Sequence, residues 1–161
     1  MRIFKIGILS LLVAYTFIAN AHEGKTLKGF KTPESAVSDA NGRVFVSEML
    51  EFGKDGDGQI SVIEPDGRVH VFAKGLNDPK GLVLVGNTLF VADKTEVMKI
   101  SEDGVVQAFA PASAFPIPPI FLNDLEADKA GNIYVSDSGD LKGQGGGGAI
   151  YKITPQGQVS L

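Results

Sequence analysis

The sequence predicts an all-β fold of β-propeller blades, each a four-stranded antiparallel meander, with about three blades present. Three observations predict it. A pattern recurs in register at Glu34–Glu48, Lys80–Asp93 and Asn123–Asp137. Each copy reads as a short apolar strand, a Gly- or Asn-bearing turn, and a strand ending Val-Ser-Glu, Val-Ala-Asp or Val-Ser-Asp. A second hairpin follows each copy, centred on Asp66-Gly67, Asp103-Gly104 or Gln156-Gly157. Finally, no stretch after Ala21 carries a helical period. A repeat of roughly 45 residues containing four strands is the mark of a propeller blade.

Taken in order, the chain opens on a segment expected to lie outside the fold. Arg2 and Lys5 precede an apolar run from Ile6 to Ala19, and Ala19-Asn20-Ala21 has the small-x-small form of a cleavage site. Residues 1–21 thus read as a secretory signal peptide, which places the mature domain, 22–161, outside the cell or in the periplasm. The apolar run is shorter than the ~18–20 residues of a membrane span, so no membrane attachment is expected after cleavage. No cysteine follows to carry a lipid anchor.

His22 to Pro33 is a basic, turn-rich entry with Lys25, Lys28 and Lys31. Three units follow, at about 32–76, 77–115 and 116–161. In the first, strands are expected near 34–38, 43–48, 59–64 and 68–74, because Arg43-Val-Phe-Val-Ser and Arg68-Val-His-Val-Phe alternate as half-buried strands do. Asn41-Gly42 and Asp66-Gly67 mark its hairpin turns, since both residue types accept positive φ. In the second unit, strands are expected near 81–85, 88–92, 96–100 and 105–110. A loop with Pro111, Pro116, Pro118 and Pro119 leads to the third. There the longest insertion, Ser138 to Gly148, holds four consecutive glycines. It lacks the Gly-Lys-Ser/Thr and following helix of a phosphate-binding loop and reads as a surface loop.

Composition narrows the function classes. Loss of residues 1–21 removes Arg2 and Lys5 and no acid, taking the formal charge from −4 to −6. A mildly acidic domain has no electrostatic reason to bind nucleic acid or an anionic membrane. With no cysteine, disulfides and thiolate chemistry are excluded. Propellers close with about 4–8 blades, so three leave a ring open with two exposed sheet edges. The chain is expected to be the N-terminal half of a longer protein; the alternative is a short protein that closes its ring as a dimer.

The innermost strand of a blade runs along the central channel, so equivalent starts of those strands converge at one mouth. Glu34, Lys80 and Asn123 hold that register, with Asp124 beside Asn123. A carboxylate and a carboxamide supply oxygen donors for a hard divalent cation, Ca²⁺, or Zn²⁺ with added water. On the residues alone, the simpler reading is that they cap strand ends and bind water. A second cation candidate is Gly53–Glu64, where Asp55, Asp57, Gly58, Ile60 and Glu64 match positions 3, 5, 6, 8 and 12 of an EF-hand loop. Gly53 stands at position 1, and the third strand of the blade would carry Glu64 away from the loop. The segment is therefore expected to be an ordinary acidic turn. Nucleophilic catalysis has little support, with no Gly-x-Ser-x-Gly elbow and only His22 and His70 as histidines. The acidic strand ends Glu48, Asp93 and Asp137 are expected to bond backbone amides of neighbouring turns.

Asn123 to Gly139, followed by Gly148-Ala-Ile-Tyr-Lys-Ile-Thr-Pro-Gln-Gly157, resembles the gluconolactonase family, which includes regucalcin and luciferin-regenerating enzyme. Pro33-Glu34 with Asp39 and Gly42 is similar to the family's opening blade. The resemblance implies a six-bladed ring holding one divalent cation in its channel and hydrolysing lactones or related esters. On that likeness Glu34 and Asn123 are metal ligands, and Asn123 and Asp124 face a lactone or sugar-acid substrate. A further asparagine and aspartate would come from later blades, and no catalytic residue is assigned within this chain. Ser35-Ala36 stands where the family has Gly-Pro, and Lys80 brings a cation to the mouth. The alternative function is a non-catalytic propeller of the NHL or streptogramin-lyase-like kind, binding a ligand or protein across its face.

Overall fold

The computed structural model describes residues 24, 26–142 and 148–161. The expected signal peptide, 1–21, and the middle of the glycine-rich insertion lie outside the described residues. Three antiparallel sheets follow one another along the chain. The first holds β1 (Pro33–Ser38), β2 (Val44–Glu48), β3 (Gly58–Ile63) and β4 (Val69–Leu76). The second holds β5 (Pro79–Val85), β6 (Thr88–Asp93), β7 (Glu96–Ile100) and β8 (Val106–Ala110). The third holds β9 (Leu122–Ala127), β10 (Ile133–Asp137), β11 (Ala149–Ile153) and the two-residue β12 (Val159–Ser160). Each sheet is a meander in which only sequence neighbours pair, and the one helical feature among the described residues is a 3₁₀ turn at Ala112–Ala114. The chain is all-β, built of blades, as the repeat predicts.

Turns set the registers. At the β1–β2 turn the Asp39 N–H donates to the Arg43 carbonyl, the Gly42 N–H donates to the Asp39 carbonyl, and Asp39 Oδ1 accepts the Asn41 and Arg43 amides. Positive φ falls on Gly42 alone, at 81°, and not on Asn41; the asparagine serves the turn without adopting the left-handed conformation. The β7–β8 turn adds a packing constraint. A Cβ on Gly104 would stand 2.4 Å from the Phe72 carbonyl oxygen, so this turn lies directly against the preceding sheet.

The middle sheet is covered on both faces, which explains why its strands read as nearly continuous apolar runs. Leu82, Leu89, Val91 and Ile100 face the first sheet and pack with Phe45, Ile60, Val62, Ala73 and Leu76. Val83, Phe90, Ala92, Val97 and Ala110 face the third and pack with Leu122, Leu125, Ile133, Val135, Tyr151 and Ile153. Successive residues of a strand point to opposite faces, so Leu89-Phe90-Val91-Ala92 feeds the two cores in alternation. Phe45–Phe72 and Phe90–Phe109 meet edge to face at 5.0 and 4.8 Å, the same aromatic pair in two successive sheets.

The strand-end acids are structural, and their role is the same in each blade. Glu48 accepts the Lys31 amide at 2.6 Å, Asp93 the Asn77 and Asp78 amides at 2.8–3.0 Å, and Asp137 the Ile120 and Phe121 amides at 2.8–2.9 Å. Each carboxylate thus fastens the backbone just before the innermost strand of its own sheet. Asp93 is almost fully buried, and that burial pushes its pKa up to about 6 against the favourable pull of the two amides.

A raised folded-state pKa means the native protein holds this proton more tightly than the unfolded chain. The associated stability is complete below the unfolded value near 4 and is lost as pH rises through about 6. Relative to an Asp93→Asn variant, the wild type should lose on the order of 2–3 kcal/mol across that window. Urea unfolding of both proteins as a function of pH checks this, and a flat difference between them from pH 4 to 7 would contradict it.

Candidate functional site

The start of every innermost strand carries a β-bulge at the same place. In the first sheet Pro33 pairs with Glu48 and Ala36 with Val46, leaving Glu34 and Ser35 opposite Ser47 alone. In the second, Lys80 and Gly81 lie between Pro79–Asp93 and Leu82–Val91 pairs, opposite Ala92. In the third, Asn123 and Asp124 lie between Leu122–Asp137 and Leu125–Val135 pairs, opposite Ser136. Two residues opposing one bend the strand and re-aim its side chains. The four polar residues singled out from the sequence are therefore all bulge residues at one end of the innermost strands.

Two serines complete the bulges. The Ser35 N–H donates to Ser47 Oγ and the Asp124 N–H to Ser136 Oγ, both at 3.0 Å. These serines explain the Val-Ser-Glu and Val-Ser-Asp endings, and Ala92 replaces them in the middle sheet where Gly81 takes the second bulge position. Gly81 is required there by contact. A Cβ on it would stand 2.6 Å from Asp124 Cα, 2.7 Å from the Asn123 carbonyl oxygen and 2.8 Å from Asp124 Oδ1. The second and third bulges consequently touch backbone to backbone.

Electrostatics link the three positions. Partial burial raises the Glu34 pKa first, the neighbouring Asp124 charge raises it further, and Lys80 opposes both. Lys80 is 2% exposed; its ammonium donates to the Asp78 carbonyl at 2.8 Å and lies 4.3 Å from the centroid of the Phe121 ring. Desolvation lowers the Lys80 pKa, against the raising fields of Asp78, Asp93 and Glu34. Asn123 donates its Nδ2–H to Ser138 Oγ at 3.2 Å, which fixes the plane of its carboxamide, and Asp124 Oδ1 accepts the Leu125 amide at 2.9 Å. Two carboxylates, a carboxamide and an ammonium thus share one mouth.

Oxygen donors of this kind suit a hard divalent cation, and the mutual field of Glu34 and Asp124 is one such an ion would relieve. Lys80 supplies part of that relief already. Among the described residues no group of three or more His, Cys, Asp or Glu side chains is placed to hold a metal ion. The EF-hand comparison fails on geometry. Glu64 follows the far end of β3, about 20 Å along the strand from Gly58. Asp55 instead pairs with Lys94 at 2.5 Å, Asp57 lies 3.8 Å from the Lys54 ammonium, and Glu64 lies 3.7 Å from His70.

Sequence reasoning missed the bulge, which sets Glu34 and Ser35 together opposite Ser47. It also missed that the Lys80 ammonium is buried on Phe121. The available signal was the pair of strand-end serines, Ser47 and Ser136, aligned with Ala92, since a serine hydroxyl has no partner in a regular ladder.

No protein-family model and no curated protein sequence matches this chain. Solved structures do match in fold. A gluconolactonase from Xanthomonas campestris superposes with a TM-score of 0.61 at 13% identity, covering 81% of this chain and 46% of that one. Regucalcin from Agrobacterium tumefaciens, described as a calcium-binding protein, gives 0.63 at 15% identity, covering 80% and 44%. A luciferin-regenerating enzyme gives 0.63 at 17% identity with the same coverage. The chain thus has the fold of the group its sequence resembles, and spans less than half the length of each of these structures.

Two substitutions test the site as described. Gly81→Ala must part the second and third bulges and should cost roughly 1–3 kcal/mol, the usual toll of overpacking, read as a fall in thermal stability. Lys80→Met keeps an apolar stem against Phe121 but removes the resident cation. Calorimetric titration with Ca²⁺ should show severalfold tighter binding than the wild type, whose affinity is expected to be weak. Unchanged affinity would mean that Lys80 does not compete for the carboxylates.

Proposed function

We propose that this chain contributes to an exported, divalent-cation-dependent hydrolase of lactones or related esters. The carrying observation is the convergence of Glu34, Asn123 and Asp124 on one mouth through bulges repeated in each sheet. Support also comes from the fold shared with a gluconolactonase and with a protein described as calcium-binding. Export rests on the character of residues 1–21.

Glu34 and Asn123 would hold the ion, with Asp124 contributing charge beside them. The ion, when bound, supplies Lewis acidity toward a lactone carbonyl oxygen and toward water. Asn123, held by Ser138, orients its carboxamide for substrate or ion. The Lys80 ammonium, buried under Phe121, bears on the mouth through its field and not through contact with a substrate. Ca²⁺ takes 6–8 oxygens and Zn²⁺ about four ligands, so these side chains are only part of a coordination sphere. A general base would come from beyond the blades described.

A second reading, a non-catalytic propeller that binds a ligand across its mouth, is favoured by the buried Lys80 ammonium among the carboxylates. The test is a pair of titrations with Ca²⁺ and Zn²⁺ alongside a pH-drop assay on glucono-lactone. It is run on the 161-residue chain and on a chain extended with complementary blades. The short chain should bind weakly and turn nothing over. The extended one should bind and hydrolyse, with Glu34→Gln weakening binding strongly. An extended chain that binds no cation and hydrolyses no lactone would leave only the non-catalytic reading.

A further inference from the structure

Packing between sheets follows one rule, and the outer two sheets each leave one face of it open among the described residues. Phe45 and Ile60 of the first sheet enter a face of the second built on Leu89 and Val91. Phe90 and Val97 of the second enter a face of the third built on Ile133 and Val135. Tyr134 and Ile150 hold the corresponding register in the third sheet, where Ser136 pairs with Ile150 as Ser47 does with Ile60 and Ala92 with Val97. Strand alternation turns both away from the second sheet, and they are 37% and 59% exposed. On the open face of the first sheet, Val69 and Val71 are 47% and 38% exposed. Lys28 and Phe30 of the entry segment border a groove of about 380 Å³ beside those two valines.

The open faces differ in kind from the covered ones. Tyr134 stands where the covered faces have Phe45 and Phe90, and its cross-strand neighbour is Glu126 where theirs are Val37 and Val83. The Tyr134 hydroxyl donates to Asp128 Oδ2 at 3.3 Å, and the Lys152 ammonium lies 5.9 Å from its ring. On the first sheet Ser61 pairs with Val46, where Met98 pairs with Val91 and Tyr151 with Val135. Polar groups set among apolar ones, with tyrosine in place of phenylalanine, mark a surface that meets water before it is covered. That is the composition of an interface between subunits rather than of a core within one chain. Charge is complementary as well: Asp124 and Glu126 lie on the third sheet's open face, whereas Lys28 and Lys31 border the groove on the first.

We propose that a second copy of this chain covers both open faces, the third sheet of each copy packing on the first sheet of the other, so that two copies close one ring. Three sheets from each copy make six blades, within the roughly 4–8 at which propellers close. The chain spans less than half of each solved structure that shares its fold, so two copies supply the length of one such ring. A four-stranded face of these strand lengths covers roughly 300 Å². The four faces closed by a two-fold axis along the channel therefore bury on the order of 1,200 Å², enough for a stable interface. Closure brings a second Glu34, Asn123 and Asp124 to the same mouth. A second Lys80 comes with them, so cation binding stays weak. The proposal does not depend on the hydrolase reading and needs no turnover to be tested.

The experiment is analytical ultracentrifugation of the 161-residue chain at about 50 µM, above the micromolar Kd of the weaker interfaces near this size. The wild type should sediment at twice the chain mass and no higher. Ile150→Arg and Val69→Arg each place a charge on one open face and leave both cores intact. Each variant alone should be a monomer with wild-type circular dichroism, because both interfaces of its ring are damaged. An equimolar mixture of the two should recover dimer, because a mixed pair keeps one interface free of either substitution. Val105→Arg, exposed just before β8 and on neither open face, should remain dimeric. A monomeric wild type overturns the proposal and leaves the faces to further blades of a longer chain. Species larger than a dimer mean an open string of copies and overturn it too. So does a dimer that survives either face substitution, or a mixture that stays monomeric, since the contact then lies elsewhere.

Discussion

Each sheet depends on one carboxylate at the end of its second strand. A chain entering the innermost strand of a blade brings backbone amides that no ladder can satisfy. An unpaired amide removed from water costs about as much as a lost hydrogen bond, so each must find an acceptor. Glu48, Asp93 and Asp137 provide it, accepting the Lys31, Asn77 and Asp78, and Ile120 and Phe121 amides. A carboxylate that accepts backbone amides makes stronger bonds than a neutral group would. The cost is visible at Asp93, where burial holds the carboxyl near pKa 6 and leaves the clamp sensitive to pH.

The same clamp positions the site. With the entry fixed on one side and the regular ladder resuming at Ala36, Leu82 or Leu125 on the other, two residues must fit opposite one. The bulge that results throws Glu34, Lys80, and the pair Asn123 and Asp124, out of the ladder and into the mouth. Sheet-to-sheet packing then decides how close they come. The two apolar cores on either side of β5–β8 hold the blades together, and glycine at 81 lets the second and third bulges meet without an intervening side chain.

Much of the architecture is legible in the sequence because a repeat averages over local ambiguity. Strands expected at 34–38, 81–85 and 88–92 stand at Pro33–Ser38, Pro79–Val85 and Thr88–Asp93. The acidic strand ends are structural as expected, since an Asp or Glu at the same register in three copies answers a need of the blade. The convergence of Glu34, Lys80 and Asn123 is also readable from register alone. The bulge is not, because it depends on which pairs resume after Ser47, Ala92 and Ser136. Nor is the burial of the Lys80 ammonium, which depends on Phe121, forty-one residues further on, folding back over it. Alternation misleads where both faces are covered: Leu89-Phe90-Val91-Ala92 shows no polar face, yet it is a strand feeding two separate cores.

The mouth combines an incomplete set of oxygen donors with a firmly anchored loop. Its oxygen donors are few and share their field with a resident ammonium, so whatever holds an ion tightly must add donors or displace that charge. The Phe52–Phe121 contact, in contrast, joins loops of the first and third sheets, and the Phe52 loop is anchored on the second by Asp78, Asn77 and Lys94. The anchoring joins the two: Asp78 receives the Gly53 amide through its side chain and the Lys80 ammonium through its carbonyl. A shift of the Phe52 loop therefore acts on the residue that also restrains Lys80.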